Sequence, residues 1–175
     1  RIITEEFAKR LAACEKICPH FHLSLQSGCD ATLIRMNRKY TTGEFAEGVK
    51  ILRRYFDNPA ITTDVIVGFP GETQEEFDVT YEYLKQIKFY ELHVFKYSRR
   101  KGTMADKMPD QVDEQIKSAR SDRLLELDEK LSTQYREKYI GKDICVLTEE
   151  VNVIEGTAYM TGFTPTYVKG AIPVD

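Results

Sequence analysis

No apolar run in this sequence approaches the length of a membrane span, and the start, Arg1-Ile2-Ile3-Thr4, has neither a basic region backed by an apolar stretch nor an initiating Met. The expectation is a cytoplasmic protein with no membrane partner, whose first residue lies inside a longer chain. An excess of positive charge is also missing: Lys and Arg total 25 against 28 Asp and Glu, a net charge of −3. There is thus no global attraction to nucleic acid, and any RNA contact must rest on a local patch. Cysteine is scarce. Cys14 and Cys18 stand at the end of a predicted helix near His20 and His22, and two thiolates fall short of the four N or S ligands of a structural zinc site. Their spacing matches no common finger or ribbon, so they read as structural or incidental thiols. Cys145, in an alternating apolar run, is expected to pack. What remains, 42% hydrophobic and 30% charged over 175 residues, suits one packed soluble domain with part of another attached.

Along the chain, helical and strand periodicities alternate. Thr4 caps a helix predicted from Glu5 to about Glu15, with Phe7, Ala8, Leu11 and Ala12 on one face. His20 to Gln26 alternates as a strand, with His22, Ser24 and Gln26 on one side and Phe21, Leu23 and Leu25 on the other. A short helix carries Leu33 and Met36; Thr41-x-x-Glu44 then opens a helix with Phe45, Val49, Leu52 and Phe56 as its stripe, stopped by Asn58-Pro59. A strand over Ile61–Val67 leads through Gly68-Phe69-Pro70-Gly71-Glu72 to a second capping box, Thr73-x-x-Glu76, and a helix to about Lys88. A third strand, Tyr90–Tyr97, precedes a basic loop. A long helix from about Val112 to Tyr139 then spaces Ile116, Ala119, Leu124, Leu127, Leu131 and Tyr135 along one side. Such βα repetition predicts an α/β fold with a parallel sheet over residues 1–140. From Gly141 the pattern changes to short antiparallel strands, Asp143–Thr148 and Gly156–Thr161, the start of a small β unit over 141–175.

In parallel αβ architectures ligands gather at the carboxyl ends of strands, which singles out Gln26, Asp64 and the Gly68 loop. Asp64 places a carboxylate inside an otherwise apolar strand, and a buried carboxylate is costly unless it is paired or hydrogen-bonded. Its partner is either a ligand or simply neighbouring backbone, His22 and His93. The loop is no Walker motif, because no Lys precedes Thr73 and the glycine spacing differs; its glycines suit close backbone approach to a planar ligand.

Four segments occur in series: His22-Leu23-Ser24-Leu25-Gln26-Ser27-Gly28-Cys29-Asp30, Met36-Asn37-Arg38-Lys39-Tyr40-Thr41, Thr63-Asp64-Val65-Ile66-Val67-Gly68-Phe69-Pro70-Gly71-Glu72-Thr73, and Phe95-Lys96-Tyr97-Ser98-Arg99-Arg100-Lys101-Gly102-Thr103. This series resembles the radical S-adenosylmethionine tRNA methylthiotransferases, the MiaB-like enzymes. Ser24 and the phrase Glu91 to Ser98 are most similar to the MtaB-type subgroup, which acts on threonylcarbamoyladenosine in tRNA. Arg99 departs from the family, which usually has Pro there. The resemblance implies a partial (βα) TIM-type barrel followed by a truncated TRAM-like RNA-binding domain. It further implies S-adenosylmethionine as cofactor, held by Gln26, Arg38 and Asp64, with Ile66 and Gly68 facing the adenine. Arg38 suits a carboxylate through a charge-assisted pair; the alternative is a solvated helix-end arginine.

The family's 4Fe-4S cluster is held by a Cys-x-x-x-Cys-x-x-Cys run. Cys14 and Cys18 match its first two positions, but Phe21 stands in the third, and the segment precedes the Gln26 strand instead of following the barrel's first one. The implied ligands therefore lie upstream of Arg1, with no metal bound and no catalysis by this stretch alone. A tRNA anticodon stem-loop is the implied partner. Arg99, Arg100 and Lys101 are candidates for RNA entering the site, and Lys142 and Lys169 for phosphate contacts. Tyr159, Phe163 and Tyr167 either stack on bases or pack a small β core. Two other readings stay open: a porphyrin-pathway radical enzyme sharing the Gln, Arg and Asp triplet, and a non-catalytic RNA-binding module. A barrel lacking its early strands would expose the His22-to-Gln26 edge, so a strand-paired homodimer is a further expectation.

Overall fold

The computed structural model describes residues 3–174. Three parallel strands, β1 (His20–His22), β2 (Ala60–Val67) and β3 (Glu91–Lys96), lie side by side in that order, with Asp64 opposite His93 and His22 opposite Thr62. The β1 to β2 connection carries α2 (Asp30–Arg35) and α3 (Thr42–Tyr55), the β2 to β3 connection carries α4 (Gln74–Ile87), and α5 (Glu114–Glu137) follows a single 3-10 turn at Ala105–Lys107. The helices begin where the sequence says they should. Both predicted capping boxes form, Thr41 with Glu44 and Thr73 with Glu76, and Asp113 accepts the Gln115 N–H at 2.7 Å to cap α5.

One face of the sheet is dry. Leu25, Ile61, Val65, Val67 and Leu92 meet Val49 and Leu52 of α3, Phe77 and Leu84 of α4, and Leu124, Leu127 and Leu131 of α5. Period-two alternation sends Thr62, Asp64 and Ile66 to the other face, together with His22 and His93. This is the α/β architecture with parallel strands that βα repetition predicts.

Several boundaries differ from expectation. The first helix, α1, spans Glu5–Ala12 instead of reaching Glu15; of its predicted face Ala8 is buried, while Phe7 and Ala12 are exposed. Cys14 and Cys18 consequently lie outside the helix as exposed free thiols. Regular pairing of β1 ends at His22, and Gln26 rejoins β2 through an isolated bridge to Val65. On α5 the sequence stripe starts too early, because Ile116 and Ala119 are exposed whereas Lys117 and Arg120 are buried. Their burial has an electrostatic reason, described below.

The second unit is an antiparallel meander of β4 (Leu147–Ile154), β5 (Thr157–Phe163) and β6 (Lys169–Pro173). Its first strand starts at Leu147, not Asp143, so Cys145 is exposed and does not pack; β6 was not anticipated. Val168 packs with Ala60, Tyr90, Tyr135 and Tyr139, and the Tyr139 and Thr166 hydroxyls are 2.5 Å apart. Ala60 opens β2 and Tyr90 precedes β3, so this unit docks at the amino end of the parallel sheet.

Candidate functional site

The Gln26 backbone lies beside Asp64 because a parallel bridge to Val65 locks the end of the β1 segment to β2. The Gln26 N–H donates to Asp64 O at 2.8 Å and its carbonyl accepts the Ile66 N–H at 2.9 Å. Between these two bonds Gln26 adopts φ 73, a left-handed conformation uncommon for a residue with a side chain. Backbone strain held in this way by surrounding bonds is typical of ligand-binding positions. The Tyr40 hydroxyl reaches the Ser24 and Leu25 carbonyls at 3.0 and 2.9 Å, tying the Arg38 loop to the same strand end. Arg38 itself is exposed and has no carboxylate partner among the described residues.

Asp64 sits in a polar cluster on the open face of the sheet. Ser24 Oγ donates to Oδ2 at 2.9 Å, His22 Nε2 lies 3.2 Å from Oδ2, and His93 Nδ1 lies 3.4 Å from Oδ1. The two imidazoles stack with centroids 5.2 Å apart, and His22 Nδ1 is fixed by Thr62 Oγ1 at 3.0 Å. Partial burial pushes the Asp64 carboxyl up, but the Ser24 and His22 hydrogen bonds and the charges of His22 and His93 together hold it below its ordinary value. Asp64 is therefore an ionised acceptor with an open side. One ligand atom from each of His22, Asp64 and His93 falls within 4.8 Å of the others, so the trio could also hold a cation.

The Gly68 loop is built differently from the sequence reading. Gly68 has φ +71, and a Cβ there would come within 2.3 Å of Lys117 Cγ, so glycine is required both by conformation and by close packing. Its N–H is not free for a ligand, because it donates to Glu72 Oε2 at 2.7 Å. Glu72 also pairs with Arg120 Nη1 at 2.7 Å, both side chains being almost fully buried. Burial raises the Glu72 carboxyl above its ordinary value, against the opposing pull of the Gly68 N–H and Arg120. Lys117 donates to Tyr97 O at 3.1 Å and to Glu114 at 2.6 Å. The start of α5 thus buries two cations to hold the loops after β2 and β3. Sequence reasoning missed Glu72, Lys117 and Arg120; the one available signal was two cations on the inward side of an amphipathic pattern.

The candidate RNA contacts do not form one surface. Arg99, Arg100 and Lys101 follow β3 at the carboxyl end, but Arg99 is bound to Asp106 through Nε at 3.0 Å and Nη2 at 2.8 Å. Arg100 and Lys101 are exposed. Lys169 belongs to the second unit at the amino end, 6.0 Å from the Phe163 ring centroid, and Lys142 is in the link before that unit. Tyr159 and Phe163 are half-buried, whereas Tyr167 is exposed and stacks on His20 at 4.7 Å.

With this geometry, residues 1–84 match the model of the Radical SAM superfamily. The threonylcarbamoyladenosine tRNA methylthiotransferase MtaB of Bacillus subtilis (strain 168) is 44% identical over 168 residues, covering 95% of this chain and 37% of that protein. Over most of its length the chain is similar to tRNA methylthiotransferases. A tRNA-2-methylthio-N(6)-dimethylallyladenosine synthase of Acetivibrio thermocellus is 40% identical over 150 residues, 86% of this chain and 31% of its own length. The chain thus spans about a third of the curated relatives it matches. Among solved structures, coproporphyrinogen III oxidase (HemN) from Escherichia coli, a radical SAM enzyme, superposes with a TM-score of 0.59 at 20% identity over 82% of this chain and 32% of that one. At that identity the likeness speaks for the radical SAM fold alone.

By type the donors suit S-adenosylmethionine: the ionised Asp64 carboxylate, the Gln26 amide and the exposed Arg38 guanidinium match ribose hydroxyls, an amino group and a carboxylate. They do not fit an iron-sulfur cluster, since among the described residues Cys14, Cys18 and Cys145 are exposed and Cys29 is buried ahead of α2.

Proposed function

We propose that this chain is the cofactor-binding part of the barrel, and the start of a TRAM-like RNA-binding unit, of a methylthiotransferase acting on N6-threonylcarbamoyladenosine next to the anticodon of tRNA. The observation that carries the proposal is the ionised Asp64 on the open face of the sheet, with the Gln26 backbone bonded to the Asp64 carbonyl and Tyr40 tying to the Gln26 strand the segment of Arg38, which has no carboxylate partner among the described residues. One line supports the substrate: the MtaB of B. subtilis, which is named for that nucleoside, is 44% identical. When bound and reductively cleaved, S-adenosylmethionine would supply the radical and the methyl group, with the iron-sulfur centres contributed by the remainder of the full-length protein.

The residues described here have binding and positioning roles. Arg38 would pair with the methionyl carboxylate, Gln26 and Asp64 would take the ribose hydroxyls or the amino group, and Ile66 would offer an apolar contact to the adenine. With its N–H committed to Glu72, Gly68 would serve by allowing close approach instead of donating a hydrogen bond. Arg100 and Lys101 would meet RNA at the same end of the sheet. The deciding experiment uses the full-length protein, anaerobically reconstituted, with cofactor cleavage compared between wild type, Asp64→Ala and Arg38→Ala. The expected outcome is a drop of at least about tenfold for each, the loss of one charge-assisted contact at about 1.4 kcal/mol per decade, with an unchanged cluster spectrum. Equal cleavage by all three proteins would sink the assignment.

A further inference from the structure

Carboxylates outnumber cations in this chain, 28 to 25, and cations that order the structure have taken one: Arg35 with Glu76, Arg120 with Glu72, Lys117 with Glu114 and Arg123 with Asp78. Arg53, Lys88, Lys138 and Lys142 are among the cations that have no carboxylate within ion-pair distance among the described residues. Arg53 near the end of α3, Lys88 after α4 and Lys138 after α5 line one groove of about 440 Å³, and Lys142 is close enough to repel Lys138. These positions are distant in sequence, and only the convergence of three helix ends brings them together.

The groove is organised. Arg53 Nη2 donates to Lys88 O at 2.8 Å, Lys138 Nζ donates to Asn58 Oδ1 at 2.8 Å, and the Lys138 ammonium stands 4.7 Å over the Tyr135 ring. Tyr135 OH in turn donates to Asn58 O at 2.7 Å. Among the described residues Asp57 is the one carboxylate in the lining, and it pairs with none of the cations. Burial lowers the Lys138 ammonium below its ordinary value, and Arg53, Lys88 and Lys142 lower it further; burial also lowers Arg53. Positive charges that raise one another's energy are relieved by a bound polyanion. The local amides cannot enclose a small anion, because the Lys88 N–H is spent on Leu84 O and the Lys138 N–H on Tyr135 O. What remains are side-chain cations spread along the groove, the Lys ammoniums and the Arg53 guanidinium, which suits a run of backbone phosphates rather than a single captured ion.

We propose that this groove, at the amino end of the parallel sheet beside the β4–β6 unit, is a docking site for the phosphodiester backbone of RNA, with Arg53, Lys88, Lys138 and Lys142 as its contacts. The choice of RNA rests on the tRNA reading above. The site lies at the opposite end of the sheet from Arg100 and Lys101, so one RNA would engage the molecule at both ends.

The test is fluorescence anisotropy of a labelled anticodon stem-loop RNA with this chain over a range of salt, comparing wild type with Lys88→Gln/Lys138→Gln and with Arg100→Gln/Lys101→Gln, folding being checked by circular dichroism. Removing two phosphate contacts should weaken binding at least about tenfold near 0.1 M salt and flatten the slope of log K against log salt by about 1.4 to 1.8. A groove variant that folds and binds RNA with the wild-type affinity and slope overturns the proposal. If that happens while the Arg100/Lys101 variant loses binding, the tRNA reading survives and only the groove is wrong. Absence of RNA binding by the wild-type chain also overturns it, without bearing on the cofactor experiment. Displacement of the RNA by low millimolar inorganic phosphate would assign the groove to a single free anion and overturn it as well.

Discussion

Two carboxylates of the β2 segment are driven in opposite directions by their surroundings. Asp64, half-buried on the open face, gains enough hydrogen bonds and positive neighbours to stay below its ordinary value, whereas burial raises Glu72 despite its partner Arg120. Glu72 is the more vulnerable of the two, because it lies in the dry interior with a single compensating cation. Arg120→Met should therefore cost about 3–5 kcal/mol in a urea melt by leaving that charge unpaired, while Glu72→Gln/Arg120→Met should recover much of the loss. A double variant no more stable than the single one would mean that the Gly68 loop, not the ion pair, is the weak point. Asp64 was legible from the sequence, since a carboxylate in an apolar strand stands out. Lys117 and Arg120 were not, because a helical stripe is drawn from apolar residues and these cations are buried by partners elsewhere in the chain.

At the scale of elements, local chemistry fixed what it controls. The capping boxes at Thr41 and Thr73 mark the starts of α3 and α4, whereas strand ends moved because pairing depends on a neighbour. Regular β1 ladder stops at His22, and the left-handed turn at Gln26 is imposed by its two bonds to β2. In the second unit a similar constraint falls on Gly162. A Cβ there would lie 1.9 Å from Leu147 O and 2.7 Å from Thr148 Cα, backbone atoms that cannot yield without breaking the ladder. Gly162→Ala should cost at least the 1–3 kcal/mol typical of overpacking, about the same whichever strand yields. Hydrogen exchange should show amides of β4 and β5 losing protection while those of β2 keep it. Equal loss in both sheets would show that the two units unfold as one.

For the whole molecule, the junction between the units is the feature to probe. His20 at the start of β1 stacks on Tyr167 of the β unit, and burial lowers its imidazole below the ordinary 6.5, with Glu91 opposing the shift. The folded state then binds fewer protons than the unfolded chain, so stability is full above 6.5 and declines as the pH falls through 6.5 toward the folded value. Thermal melts should show wild type losing more stability than His20→Phe between pH 7.5 and about 5.5, the two running parallel above pH 7. Identical pH profiles would remove His20 from the junction. The sequence by itself determined the α/β class, the helix starts, and the candidate positions Gln26 and Asp64, because periodicity, caps and a misplaced carboxylate act over a few residues; Arg38 came only from the family resemblance. Only the tertiary structure decided that Glu72 takes the Gly68 N–H, that Arg99 is spent on Asp106, and that Arg53, Lys88 and Lys138 share one groove. Each of those depends on which charges meet across the fold, and charge pairing, unlike a cap or a hydrophobic period, leaves no local trace in the chain.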